Sequence, residues 1–407
     1  MRQRLYGGSL LATAAALVLA SAGPVGAQTD TYTVSGLPAE NVPIPTGNPG
    51  THGFFSFFEL TYLTQTRSIG NQTVAFRGLV DSRGLISGGV PGTYIGSGVT
   101  ALTTQDFPRR GYQTGFNVGI GYKLDNGTSV YLSYMTQLDN SYHAGATLAA
   151  PFARSRADLA DTFLTSGVYN FPPQFAGPLV KTVADDSNVN GAADPGEGGN
   201  FYGIWNGASV MDIQFDQRFT EWEIGARVPL LQTEYSRIYG LAGGRFNWFM
   251  ERFKWRTVSF DVSGQAGSRD TATYTNTLSQ RMYGPYVGCG HEIYMGSRFS
   301  MSLDLTGALL VDLAKERAKY KLGSEEIQNK LSRNEFKLVP SATAKFNLWW
   351  YPIEGVQLRA GYNVWTFFNT LNMEQPIGFN YSAIDPVYNT QAFRIVHGLN
   401  FGLGLFF

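Results

Sequence analysis

The chain has 407 residues, with 31 Lys+Arg against 31 Asp+Glu, 15% charged residues, 14% aromatic residues and 48 glycines. Zero net charge without a basic cluster argues against nucleic acid as a partner, and a single cysteine, Cys289, excludes an intramolecular disulfide. Beyond residue 27 no run approaches about 18 consecutive apolar residues, which excludes a membrane-spanning helix.

In chain order, the first element is an export signal. Arg2 and Arg4 form a positive region, Leu10 to Ala20 an apolar one, and Val25-Gly26-Ala27 supplies small residues before a cleavage ahead of Gln28. The apolar stretch is too short to cross a bilayer core of about 30 Å as a helix, so residues 1–27 read as a cleaved signal peptide. Residues 28–52, broken by Pro38, Pro43, Pro45 and Pro49, read as an extended periplasmic leader, with a plug inside a barrel as the alternative.

Residues 53–407 read as strands, because period-two alternation dominates from there on. In 112–124, Tyr112, Thr114, Phe116, Val118, Ile120 and Tyr122 alternate with Gln113, Gly115, Asn117, Gly119, Gly121 and Lys123. Ten strands are expected near 53–67, 112–124, 128–138, 208–228, 237–256, 274–294, 298–321, 333–350, 355–373 and 394–407. Tight turns at Asp125-Asn126-Gly127, Met295 to Arg298 and Pro352 to Gly355, and a modest one at 229–236, alternate with long loops near 68–111, 139–207, 257–273, 322–332 and 374–393. Short periplasmic turns and long extracellular loops are the pattern of an outer-membrane barrel. A soluble sandwich also alternates but has no reason to put every long loop at one end.

The fold class expected is therefore all-β, a closed antiparallel transmembrane β-barrel of ten strands, or twelve if the loop at 139–207 hides a further hairpin. Trp349-Trp350-Tyr351 and Phe406-Phe407 at the turn side, with Trp248, Trp255, Trp365 and Phe367-Phe368 toward the loop side, read as interfacial aromatic girdles. Within 208–228 the apolar register changes: Met211, Ile213 and Phe215 share one parity, Trp222, Ile224, Ala226 and Val228 the other, which suggests a bulge.

The terminal Phe407, preceded by alternating apolar residues, resembles the closing strand that the barrel-assembly machinery recognises. Arg359-Ala360-Gly361-Tyr362-Asn363, followed by His397-Gly398-Leu399-Asn400-Phe401-Gly402, is similar to the pore-forming outer-membrane proteins related to the legionella major outer-membrane protein, notably the planctomycete-type members. That resemblance implies an outer-membrane location and a porin-like role, and carries over no catalytic residue.

The inward parity carries Glu59, Lys123, Glu221, Glu223, Arg227, Arg245, Glu292, Asp304, Lys337, Lys345, Arg359 and Arg394. A charge facing lipid at mid-bilayer costs about 2–4 kcal/mol, so these residues are expected to line a lumen. A wetted pore of weak ion selectivity is one outcome and a lumen plugged by salt bridges the other, with Tyr131, Met135 and Trp365 narrowing it. The functional expectation is passage of small solutes or ions. The alternatives are a structural or adhesive barrel acting through its extracellular loops and, more remotely, an outer-membrane hydrolase. Expected partners are outer-membrane lipid, the assembly machinery and small solutes.

One cofactor is suggested. Asp186, Asn188, Asn190, the Ala192 carbonyl, Asp194 and Glu197 match the oxygen positions of a calcium loop, with Gly191 at its sharp turn, although Ala193 replaces the usual bulky aliphatic and no flanking helices are evident. An ordinary polar surface loop has the same composition. Of the four histidines, His52, His143, His291 and His397, the residues His291 and His397 read as outward interface residues near turns, and His143, in a loop beside Asp139, is the one conceivable hydrolase element. No Gly-x-Ser-x-Gly is present.

Overall fold

The computed structural model describes residues 52–81, 93–94, 99–109, 111–147, 162–170, 180–181, 201–202, 204–205, 208–233, 235–258, 271–295, 298–323, 328–353, 355–381, 384 and 390–407. The expected signal peptide, nearly all of the leader and the calcium loop at 186–197 lie outside these residues.

The barrel wall consists of β1 (Gly53–Gln65), β5 (Gln113–Lys123), β6 (Ser129–Gln137), β7 (Asn140–Thr147), β11 (Val210–Gln232), β12 (Ser236–Val258), β13 (Thr271–Tyr294), β14 (Phe299–Leu322), β15 (Gln328–Ile353), β16 (Val356–Asn372) and β17 (Thr390–Phe406). The sheet is antiparallel throughout and returns on itself. β1 pairs with β17 from Phe55↔Phe406 to Gln65↔Val396 and with β5 on its other edge, and β11 pairs with both β12 and β6. A backbone ring of this kind satisfies every ladder group internally, which a bilayer core demands.

Ten staves make the ring, as the turn pattern implied, because β6 and β7 are two parts of one stave. Both pair with β11, at Thr220–Arg227 and Val210–Gln217 respectively. The segment 140–147, expected as loop, is thus wall, and β13 and β15 begin earlier than alternation alone indicated. No further hairpin enters the ring among the described residues. The hairpin at Asp125-Asn126-Gly127 turns because Gly127 takes φ +82°, while Asn126 Oδ1 accepts the Thr128 N–H at 2.9 Å.

Within 208–228 there is no bulge. β11 pairs with β12 without a break from Val210↔Val258 to Pro229↔Tyr239, and its one irregularity falls at Pro229/Leu231. Odd residues face inward along the whole stretch, from buried Met211, Ile213 and Phe215 to buried Glu221 and Glu223. What changes is the surroundings. Near the turns the outward residues Trp222, Ile224 and Val228 are exposed, as lipid-facing residues are. Near the loops the inward residues are apolar and the outward ones, Asp212, Gln214 and Asp216, are polar.

The inversion has a structural cause: the loops fold over the mouth and provide an apolar lid. β2 (Thr73–Asp81) pairs with β3 (Thr93–Tyr94), β4 (Thr100–Thr103) and β8 (Thr162–Thr165), and β9 (Val180–Lys181) pairs with β10 (Phe201–Tyr202). Val74, Leu102, Phe107, Leu164, Trp205 and Ile377 from these loops share one buried cluster with Phe215, Phe253, Trp255 and Tyr320 of the wall. Trp205 is its centre, with ring centroids 4.4 Å from Trp255, 5.5 Å from Tyr381 and 5.9 Å from Tyr320.

The girdle assignment is corrected in part. Trp248, Trp350, Phe368 and Phe407 face outward, whereas Trp255, Trp349, Tyr351, Trp365 and Phe367 are buried inside. The aromatic pairs straddle both parities, so each pair contributes one ring to each side.

Candidate functional site in the barrel lumen

The twelve charged residues expected inside do point inward, and most are neutralised in pairs. Near the turn end Glu59 meets Arg359, whose guanidinium lies 5.4 Å from the Phe57 ring centroid and 5.1 Å from that of Trp349. Buried Lys123 stands 5.8 Å from the Phe406 ring, and Glu292 accepts the Ser300 hydroxyl at 2.6 Å. Arg227 donates to Asp304 at 3.0 Å and packs over the Tyr239 ring, whose own hydroxyl also donates to Asp304.

The most connected group is Glu223. It accepts from Arg245 Nη2 at 2.8 Å, Tyr131 at 2.5 Å and Tyr286 at 3.0 Å, with Lys345 Nζ at 3.6 Å. Arg245 also faces Glu221 at 3.5 Å and donates to Thr343 at 2.8 Å. Gly225 makes this network possible, because a Cβ there would collide with the Tyr286 hydroxyl and the Tyr131 ring. A buried carboxylate is tolerated only with such a full set of donors.

Next along the inner face of β12 come Asn247, Phe249 and Glu251. Phe249 belongs to an apolar belt with Leu63, Met135, Phe219, Met282, Leu310, Val339, Trp365, Phe367 and Val396, to which every stave except β5 contributes. Phe219 stacks on Phe249 with centroids 4.6 Å apart, and Phe367 meets Phe249 edge-on at 5.0 Å. On the loop side of the belt Glu251 accepts from Arg394 at 2.6 Å, Gln217 at 2.9 Å and Ser68 at 2.7 Å. Lys337 lies 3.5 Å from Glu335.

A cavity of about 100 Å³ remains on the turn side of the belt, reaching from Ser129 and Gln357 up to Met135 and Trp365. Its wall is amide-rich. Asn117 Oδ1, Gln357 Oε1, Asn363 Oδ1 and Asn400 Oδ1 line it without a hydrogen-bond partner. Buried amide oxygens left dry cost about 1–3 kcal/mol each, and a polar site of this volume has room for water.

Sequence reasoning missed Glu251, Tyr239, Tyr286 and the amides. Parity does reach them: Glu251 and Tyr239 share the Arg245 side of β12, and Asn117 shares the Lys123 side of β5, but a polar side chain on that side is not by itself marked as functional. The hydrolase candidate gains nothing from the geometry. His143 is on β7, not in a loop, and faces outward beside Ser141. The Ser141 hydroxyl donates to Asp216 at 2.5 Å, so it is not held for the His143 ring 3.0 Å away, and Asp139 is held by Arg218 at 2.5 and 2.7 Å. His397 accepts from or donates to Tyr362 at 2.6 Å on the outer wall and pairs with Thr64 and Val364, at the level of the belt and not near a turn. Among the described residues no group of acidic, histidine or cysteine side chains could hold a metal.

A ring of ten staves with an apolar outer band and charges turned inward defines an outer-membrane β-barrel. Residues 94–403 match the family described as Legionella pneumophila major outer membrane protein precursor, and the chain belongs to that family. A search of curated proteins returns no match. Solved structures similar to the chain include the outer membrane protease OmpT from Escherichia coli, at 10% identity, 87% of this chain and 97% of that one covered, and TM-score 0.39. A Pseudomonas aeruginosa FadL homologue matches at 10% identity with 89% and 92% covered and TM-score 0.26. The Pseudomonas putida toluene transporter TodX matches at 8% identity with 88% and 91% covered and TM-score 0.23.

Proposed function

We propose that this outer-membrane barrel is a channel for small solutes or ions that rests closed, shut by the apolar belt and the loop lid. The observation that carries the reading is the set of amide oxygens left without partners in the wall of the turn-side cavity. A wall built only for mechanical support would gain stability from apolar side chains at Asn117, Asn363 and Asn400, whereas a conducting lumen needs hydrogen-bonding groups along its path. Mixed charges beside it, Glu59 with Arg359 and Arg227 with Asp304, favour neither ion sign. Apolar constrictions shut such paths by excluding water and open when their rings part.

Planar-bilayer recordings test this. The natural protein is expected to give rare, small conductance steps, and Phe249→Ala with Trp205→Ala to raise open time at least tenfold. No steps from either protein, with the fold verified, would overturn the channel reading.

A second reading has its own support. The lid is a packed unit with an aromatic centre at Trp205 and paired strands around β2, more order than a passive cover requires. Display of that lid to the cell's surroundings is a structural or adhesive role, and a silent bilayer recording combined with lid-dependent surface binding would favour it.

A further inference from the structure

The zero net charge conceals a segregation. On β14 the outward residues run Phe299, Leu303, Leu305, Leu309, Val311 and Leu313, and the same parity then becomes Lys315, Arg317, Lys319 and Lys321. The change falls where the lipid-facing run ends, and its neighbours change with it. Register places Ser279 of β13 and Asn334 of β15 opposite Lys315, and Thr277 and Ser332 opposite Arg317. Thr275 and Lys330 flank Lys319 in the same way. The outward parity of β13 to β15 above this line therefore consists of cations, hydroxyls and amides, with no acidic residue among the described ones.

Two features mark Lys315, Arg317, Lys319 and Lys330 as lacking an anionic partner among the described residues. Lys319 and Lys330 stand directly opposite each other on one face, a like-charged cross-strand pair that destabilises a sheet unless an anion lies between. Lys315, Arg317 and Lys319 make no ion pair among the described residues, and Arg317 Nε has no hydrogen-bond partner. By contrast, the cations of β12 meet acids across the sheet: Arg256 is 3.5 Å from Asp212, and Arg252 pairs in register with Asp216. Directly below the ladder on the same outward row, Leu309, Val311 and Leu313 expose apolar side chains. Val311 lies four residues below Lys315, roughly 13 Å along the strand, within reach of an acyl chain.

We infer that the outer face of β13 to β15 binds a phosphorylated glycolipid of the outer leaflet, with its head-group phosphates on Lys315, Arg317, Lys319 and Lys330, its sugars on the Thr275–Ser279 hydroxyls and an acyl chain against Leu309, Val311 and Leu313. The site commits to a lipid because the ladder begins at the lipid boundary, where an anchored head group is held at high local concentration. Free phosphate has no such anchoring.

The test titrates the refolded, full-length barrel in neutral detergent with a bisphosphorylated glucosamine-disaccharide lipid and with its dephosphorylated counterpart of identical chains, read by native mass spectrometry. The phosphorylated lipid is expected to bind at least tenfold tighter. Lys315→Ser with Arg317→Ser and Lys319→Ser should abolish that preference while leaving heat-modifiable mobility, the sign of a folded barrel, unchanged. Equal binding of both lipids by the natural protein would overturn the site, as would displacement of the phosphorylated lipid by millimolar inorganic phosphate. If the triple variant fails to fold, the comparison of the two lipids on the natural protein still decides.

Discussion

The turn-side and loop-side halves of this barrel wall share strands, parity and hydrogen-bond register, yet their faces have opposite character. On β12, Arg245 points inward and Phe246 outward in the lower half, while Phe253 points inward and Lys254 outward in the upper half. The backbone fixes only which residues share a side. Which side is apolar depends on what lies beyond it: lipid outside and a polar lumen inside below, water outside and the packed lid inside above. An inversion of polarity without a change of register thus marks a membrane boundary from sequence.

Substituting residues of one parity on either side of that boundary should break the symmetry most strongly. Leu305→Arg places a charge in the lipid band and should cost about 2–4 kcal/mol, enough to reduce assembled barrel severely. Lys319→Leu, in the same outward row above the boundary, should leave assembly unchanged. Heat-modifiable mobility of membrane fractions measures both.

Inside, the two halves should differ in how damage spreads. Arg245→Met strands Glu221 and Glu223 in the lower lumen and should cost about 3–5 kcal/mol of barrel stability, seen as an earlier urea midpoint. Trp255→Ala removes a buried ring that anchors the lid, about 3–5 kcal/mol locally. Its effect should be lid opening, with proteolysis of the loops at unchanged barrel midpoint. If both variants shift the midpoint equally, lid and wall are one cooperative unit.

Much of this wall is legible in the sequence. The turns at 125–127, 229–236, 295–298 and 352–355 join eight staves, and the two terminal strands complete the ten; Gly127 and Gly355 tolerate their turns at φ +82° and +78°. Inward charges such as Arg245 follow from parity. The lid was not legible, because Trp205 and Tyr381 lie in irregular segments whose partners are far away in sequence. For the same reason Phe215 and Trp255 were misassigned: an apolar inward residue has no meaning until something fills the lumen.

The smallest effect concerns pH at the rim. The Arg218 guanidinium holds the Asp139 carboxyl below the usual carboxylate range, so the pair contributes stability above the ordinary pKa and loses it as pH falls through the lowered one. Both groups are partly exposed, so solvent screening keeps the contribution small. Amide exchange at the β6–β7 junction should quicken only in strongly acidic solution, and Arg218→Gln should remove that dependence.

That apolar layers seal a polar lumen can be tested directly by thiol labelling in intact cells, in a Cys289→Ser background. Asn363→Cys, facing the cavity below the belt, is expected to resist an impermeant maleimide for hours, while Gln214→Cys, on the outer face of β11 near the loops, reacts within minutes. Equal rates at the two positions would mean that the lumen stands open, contradicting closure by the belt and the lid.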